Sequence, residues 1–205
     1  MNILSIDTES CGIGLEFPLL SVSLSIAQPV FYDNRKVTKI FGSTGDSLSL
    51  FVKPDFANGR AEYLVQPEAL NVNKIDLVQH DKTAITYKQA KSLIYSWLEN
   101  AYSKYGTLTP AGHGVSRDID IITEYTLSRQ SWNNFVDVRV IDTVSLCKYL
   151  QIIGVIPEDQ SISLTNALKF FNVAIDGELA HTAEYDCELN IKLLNAINAK
   201  IEINW

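Results

Sequence analysis

The sequence predicts a mixed α/β fold, a five-stranded sheet in the order 3-2-1-4-5 flanked by helices, with strands 1–3 antiparallel and the later strands parallel. Three observations carry that expectation. Residues 19–27, L-L-S-V-S-L-S-I-A, alternate apolar and polar almost strictly, the mark of a half-buried strand. Three strand-like segments, separated by turn residues, precede the clearest helix. Beyond it strands and helices alternate, a pattern that folds as a sheet with helices packed on it.

Residues 2–7, N-I-L-S-I-D, read as a short buried strand ending in an acid, and 19–27 as the second strand. A third fits 48–53, L-S-L-F-V-K, halted by Pro54, which cannot donate to a ladder. The polar stretch 28–47 between them, with Pro29, Asp33, Asn34, Gly42 and Gly45, is expected to carry a long hairpin arm. In 87–105, Ala90, Leu93, Ile94, Trp97, Leu98 and Ala101 recur at threes and fours, so this segment is a helix, with Thr86 as its N-cap and Gly106 as its stop. A strand at 107–111, a helix from about 117, a strand at 138–141 and helices at 143–153 and 164–172 follow. The last helix starts near 182, with Leu189, Leu193, Ile197 and Ile201 on one face. This order places the first strand at the centre, beside the fourth.

The 205 residues suffice for one large domain, read as 1–205 without linker, repeat or low-complexity segment. Hydrophobic residues make up 46% and charged residues 20%, a globular balance. No run approaches the roughly 18 apolar residues of a membrane span, and no secretory signal is visible. Cys11, Cys147 and Cys187 are odd in number and far apart, which argues against a disulfide framework or a thiolate zinc site and suits a cytoplasmic protein. The net charge of −7 counts against a protein that tracks long nucleic acid through a basic groove. It is compatible with one that grips a few terminal nucleotides, because bound cations reverse the local sign around a carboxylate cluster.

Chemistry concentrates in S-I-D-T-E-S, G-H-G-V-S-R-D and H-T-A-E-Y-D. Alternate residues of a strand share a face, so Asp7 and Glu9 present both carboxylates together. Asp118 is expected in the first turn of the helix after strand four, and Asp186 in the early turns of the final helix. Carboxylate oxygens suit Mg²⁺ or Mn²⁺, and two such ions roughly 3.5–4 Å apart can stabilise both oxygens of an in-line phosphoryl displacement. His181, with a reference pKa of about 6.5, suits the base that activates water. Five residues from Asp186 would be about 140° of rotation on a regular helix, so His181 is expected on the loop leading into it. The set points to a metal-dependent nuclease.

Here the chain resembles the DEDDh-type (DnaQ-like) 3′–5′ exonucleases, a family on the ribonuclease H-like fold. I-D-T-E-S-C-G resembles the first motif, with Asp7, Glu9 and Gly12; G-H-G-V-S-R-D resembles the second, ending in Asp118; H-T-A-E-Y-D resembles the third, giving His181 and Asp186. Segments 67–76, 140–146 and 163–168 echo the family in order. The resemblance implies a two-metal enzyme that releases nucleoside 5′-monophosphates from a single-stranded 3′ end, with Asp7, Glu9, Asp118 and Asp186 as ligands of two Mg²⁺ or Mn²⁺ ions and His181 as base. It also implies that Ile13, Leu70 and Ile75 pack against the terminal base. DNA is favoured as substrate. The alternatives are an RNA-trimming exoribonuclease, or a non-catalytic module that binds a 3′ end or a polymerase. A polymerase or a second copy of the chain is the candidate protein partner, and no membrane is involved. The family's second motif has Asn after its His and an aromatic before its Asp, where this chain has Gly114 and Arg117. The loop near 74 carries Gly in the family and Lys74 here. These departures bear on substrate contacts, and Lys74 or Arg117 is a candidate phosphate contact. His113 is assigned to the fold, Asp142 to a helix N-cap and Phe170 and Phe171 to the core.

Overall fold

In the second strand, Val22, Leu24 and Ile26 turn to one face and are buried, while Ser21, Ser23 and Ser25 turn to the other. The protein is described by a computed structural model, covering residues 1–30, 40–55, 63–177, 179 and 182–201. Its strands are β1 (Asn2–Ser10), β2 (Leu19–Val30), β3 (Ile40–Lys53), β4 (Ile85–Thr86), β5 (Leu108–Gly112) and β6 (Ile141–Asp142). Its helices are α1 (Pro67–Asn73), α2 (Leu77–Thr83), α3 (Tyr87–Tyr105), α4 (Val115–Tyr125), α5 (Arg129–Trp132), α6 (Thr143–Ile152), α7 (Leu164–Phe170) and α8 (Ala183–Ile201).

The sheet order is β4-β3-β2-β1-β5-β6. β1, β2 and β3 pair antiparallel, and β5 and β6 join parallel to β1. This is the expected order and direction, with β1 central. The count differs, because the two-residue β4 adds a sixth strand at the edge, parallel to β3.

One face of the sheet packs Leu4, Ile6, Val22 and Leu24 under Ala90, Ile94 and Leu98 of α3 and Val115, Ile119 and Ile122 of α4. The other packs Ile3, Ala27, Phe41 and Ala111 against Leu194 of α8, which in turn covers a second cluster built on α6 and α7. Each of the valine, leucine, isoleucine and phenylalanine side chains among them, fully buried, contributes roughly 1.5–3 kcal/mol of transfer free energy. α4 and α8 stand on opposite sides of β1, and each brings an acid to its C-terminal end, Asp118 and Asp186.

α3 begins and ends where its pattern predicts. Thr86 forms a reciprocal capping box with Gln89, and Gly106 ends the helix with its N–H on the Tyr102 carbonyl. The strand expected at 138–141 is shorter. Val138 is exposed and Arg139 folds back onto Asp137, leaving Ile141 and Asp142 to pair with Ala111 and Gly112. The hairpin arm is borne out at its base, where Val30 pairs with Ile40; its tip, 31–39, lies outside the described residues.

Candidate active site

β1 alternates, so Ile3, Ser5, Asp7 and Glu9 face α8 while Leu4, Ile6 and Thr8 face α3 and α4. A register shift at Glu9/Ser10 ends the regular pairing with β2 at the site, as bulges beside functional groups do. α8 is docked over this end by polar contacts as well as by its apolar stripe. The Ser5 hydroxyl donates to the Cys187 carbonyl at 2.8 Å, the Cys187 thiol lies 3.2 Å from the Ser23 carbonyl, and Asn190 donates to the Ile6 carbonyl at 3.4 Å. Thr182 caps the helix, accepting from Tyr185 N–H through its hydroxyl and from Asp186 N–H through its carbonyl.

That docking carries Asp186 to Asp7 and Glu9. Carboxylate oxygens of the three lie within 4.8 Å of one another. Asp118, buried in the first turn of α4, arrives from the opposite side of β1. Its Oδ1 accepts a 2.7 Å bond from the Thr8 hydroxyl, which fixes it beside the trio, where its charge acts on both Asp7 and Glu9. His181, expected on the loop before α8, lies outside the described residues.

Burial and mutual repulsion raise the proton affinity of this cluster. Glu9 is pushed up to about 8 by desolvation and by the charges of Asp186 and Asp118, against lowering by Arg117 and Asn73. Asp7 is raised well above its usual range by desolvation, then by Asp118, Glu9 and Asp186. Asp118 rises to about 7 by desolvation, with Thr8 and Arg117 opposing. Carboxylates crowded in this way lack positive charge. A divalent cation taking oxygen ligands fits both the donor set and the deficit.

Arg117, a departure from the family pattern, does not reach outward. Its guanidinium donates to the Gly12 carbonyl at 2.9 Å and the Ser10 hydroxyl at 3.3 Å, tying α4 to the turn after β1. Gln66 holds the same turn from the other side. Its side chain accepts from Ile13 N–H at 2.7 Å, and its own N–H donates to the Cys11 carbonyl. Gly12 is required here, since a Cβ would lie 2.6 Å from the Phe17 ring. The turn presents Ile13 to solvent at 78% exposure. Leu70 and Ile75 are half-buried against Cys11, Phe17 and Leu20, so packing accounts for part of each.

Lys74 ends α1 at φ 56°, a left-handed conformation that explains why a glycine suits this position. The turn into α4 is built as a unit. Gly114 takes φ 85°, its N–H donates to Asp142, His113 Nδ1 and Nε2 lie 2.9 Å from Thr143 Oγ1 and the Ile162 carbonyl, and Thr143 donates to the Gly112 carbonyl. His113 thus serves the fold, and Asp142 caps α6 by accepting from Val144 N–H. Thr8 and the inward course of Arg117 were not legible in the sequence, because both depend on which face of β1 receives α4.

No family profile matches the chain, and no curated protein does. Solved structures do. The nuclease domain of 3′hExo, a DEDDh family member bound to rAMP, superposes with TM-score 0.63 at 15% identity, over 98% of this chain and 92% of that one. E. coli exonuclease I in complex with a dT13 oligonucleotide gives TM-score 0.68 at 18% identity, over 96% of this chain. Exonuclease I from Methylocaldum szegediense gives 0.68 at 15%, over 98%. The chain spans about 40% of the length of these two exonuclease I structures. At these identities the likeness is one of fold: the chain has the ribonuclease H-like fold on which the DEDDh nuclease domain of 3′hExo is built.

Proposed function

We propose that the chain is a divalent-metal-dependent 3′–5′ exonuclease that releases nucleoside 5′-monophosphates from a single-stranded 3′ end. The observation that carries the reading is the convergence of Asp7, Glu9 and Asp186 within 4.8 Å, beside buried Asp118, on a fold shared with exonucleases. Asp7, Glu9, Asp118 and Asp186 would hold two Mg²⁺ or Mn²⁺ ions. When bound, these supply Lewis-acid stabilisation of the phosphoryl group and a nucleophile at neutral pH.

The chain's own residues do the rest. Thr8 holds Asp118 in one orientation, and Thr182, Cys187 and Asn190 hold α8 so that Asp186 faces Glu9. His181, one residue before Thr182, takes the proton of the attacking water; this role rests on the H-T-A-E-Y-D motif. Ile13, fixed by Gln66 through its N–H, and Leu70 and Ile75 flank the terminal base.

DNA is our favoured substrate, as in the exonuclease I complex with dT13. RNA is the second reading, because the 3′hExo domain was captured with rAMP. Three free, buried cysteines suit a reducing, cytoplasmic setting, and among the described residues no helix is long and apolar enough to cross a membrane. The test is incubation of matched 5′-labelled and 3′-labelled DNA and RNA oligonucleotides with Mg²⁺ or Mn²⁺. A ladder from the 5′ label with mononucleotide from the 3′ label is expected, on single strands. Internal cleavage, or no metal-dependent cleavage, would refute it.

A further inference from the structure

The sheet face that carries the acids continues past them into a cleft. Strand register sets two rows of side chains across three strands: Glu9–Ser21–Phe51, and Asp7–Ser23–Ser49. Directly paired residues share a face, so all six side chains turn to the α8 side. The middle of each row is serine, and these short side chains leave a trough between the carboxylates and the Phe51 ring. Neighbouring strands lie about 4.8 Å apart, so Phe51 stands roughly 10 Å from Glu9. A cavity of about 600 Å³ fills this space, closed on its far walls by Ile75, His80 and Leu179.

Three features say what the cavity receives. The Ser21 hydroxyl lines it at 6% residue exposure and has no hydrogen-bond partner among the described residues, whereas Ser23 and Ser49 bond each other at 2.8 Å. Open to the cavity, that hydroxyl is free to hydrogen-bond a ligand's polar group. Phe51 is 57% exposed, an aromatic ring on a strand with its edge-to-face contact on His80, centroids 5.7 Å apart, and its remaining surface open. The acids Glu9, Asp76 and Glu184 line the cavity with Lys74, a charge balance that repels phosphate from the interior.

We propose that this trough seats one unpaired nucleoside of the substrate strand, with its base on the Phe51 ring, its sugar over Ser21, and its phosphate left outside, at the cations that the carboxylates would hold. The inference rests on the nuclease reading and deepens it. A base in a duplex is stacked on its neighbours and paired, and cannot lie on the Phe51 ring, so the trough selects single strands. Base–aromatic stacking tolerates any base, which suits an enzyme that must degrade every sequence.

The experiment compares wild type with Phe51→Ala, Phe51→Leu and Phe51→Trp, all at an exposed position where folding is retained. Hydrolysis of a short oligothymidylate with Mg²⁺ gives kcat and KM. Fluorescence anisotropy of the same labelled oligonucleotide, with Ca²⁺ replacing Mg²⁺, gives affinity. Phe51→Ala and Phe51→Leu should raise KM and Kd on the order of tenfold, with Phe51→Trp close to wild type. Recovery in Phe51→Leu equal to that in Phe51→Trp would overturn stacking. If wild type cleaves the oligonucleotide and Phe51→Ala keeps both KM and Kd, the trough assignment falls while the nuclease reading stands. If wild type cleaves nothing but binds, and Phe51→Ala loses binding, the nuclease reading falls and the trough stands.

Discussion

Raising the metal-free protein from about pH 5 to about pH 9 is expected to destabilise it, because its acid cluster binds protons more tightly folded than unfolded. Glu9 moves from the ordinary value of 4.5 to about 8 on folding, and Asp7 and Asp118 are raised alongside it. A raised carboxylate pKa means that the folded state holds the proton through the window between the two values. Stability is therefore full below about 4.5 and is lost as pH rises through about 8. At about 1.4 kcal/mol per unit, Glu9 alone corresponds to roughly 4–5 kcal/mol, or a fall in Tm of about 10 °C for a chain of this size. A divalent cation offsets the repulsion, and its binding must displace those protons, so its stabilisation grows with pH. The assay is thermal unfolding in EDTA and in Mg²⁺ or Mn²⁺ across this range. A metal-free Tm that is flat or rises between pH 6 and 8.5, or a metal-induced gain no larger at high pH than at low, would refute the reasoning.

Three further outcomes follow from the same geometry. Asp186→Asn removes a charge that raises both Asp7 and Glu9, so the metal-free variant should be more stable than wild type near pH 8.5, yet should lose the metal-induced Tm gain and more than about 100-fold of the hydrolytic rate. Arg117→Met removes bonds from a charged donor to Gly12 and Ser10, at a cost of about 1.5–3 kcal/mol, and chemical denaturation should show a larger loss at pH 8 than at pH 6, where the neighbouring acids carry more protons. Thr86→Ala breaks the capping box of α3, remote from the acids; it should cost about 1 kcal/mol in the same denaturation experiment and leave kcat unchanged.

Much of the architecture was legible because it rests on local periodicity. The alternation of β2, the three-and-four spacing of α3 with its Thr86 and Gly106 ends, and the apolar face of α8 all lie in the covalent order of side chains. The pairing of Asp7 with Glu9 follows from the same two-residue period. What escaped depended on tertiary packing. α1 and α2 are seven residues each, too short for a period to stand out, and α2 is started by Asp76 accepting from Val78 and Gln79. V-R-V-I at 138–141 has strand composition, but only its last residue is paired, because Asp137 and Arg139 satisfy each other locally. Asp118 reaches β1 from the α4 side and is held by Thr8, a contact across 110 positions that no spacing rule reveals. The Ser21–Phe51 row depended likewise on strand register.

The most direct test of the central claim is the anomalous diffraction of a crystal grown with Mn²⁺. The account predicts density between the carboxylates of Asp7, Glu9 and Asp186, with Asp118 within reach, and its loss in Asp186→Asn. Anomalous peaks confined to other carboxylates, with those three side chains empty between them, would contradict it.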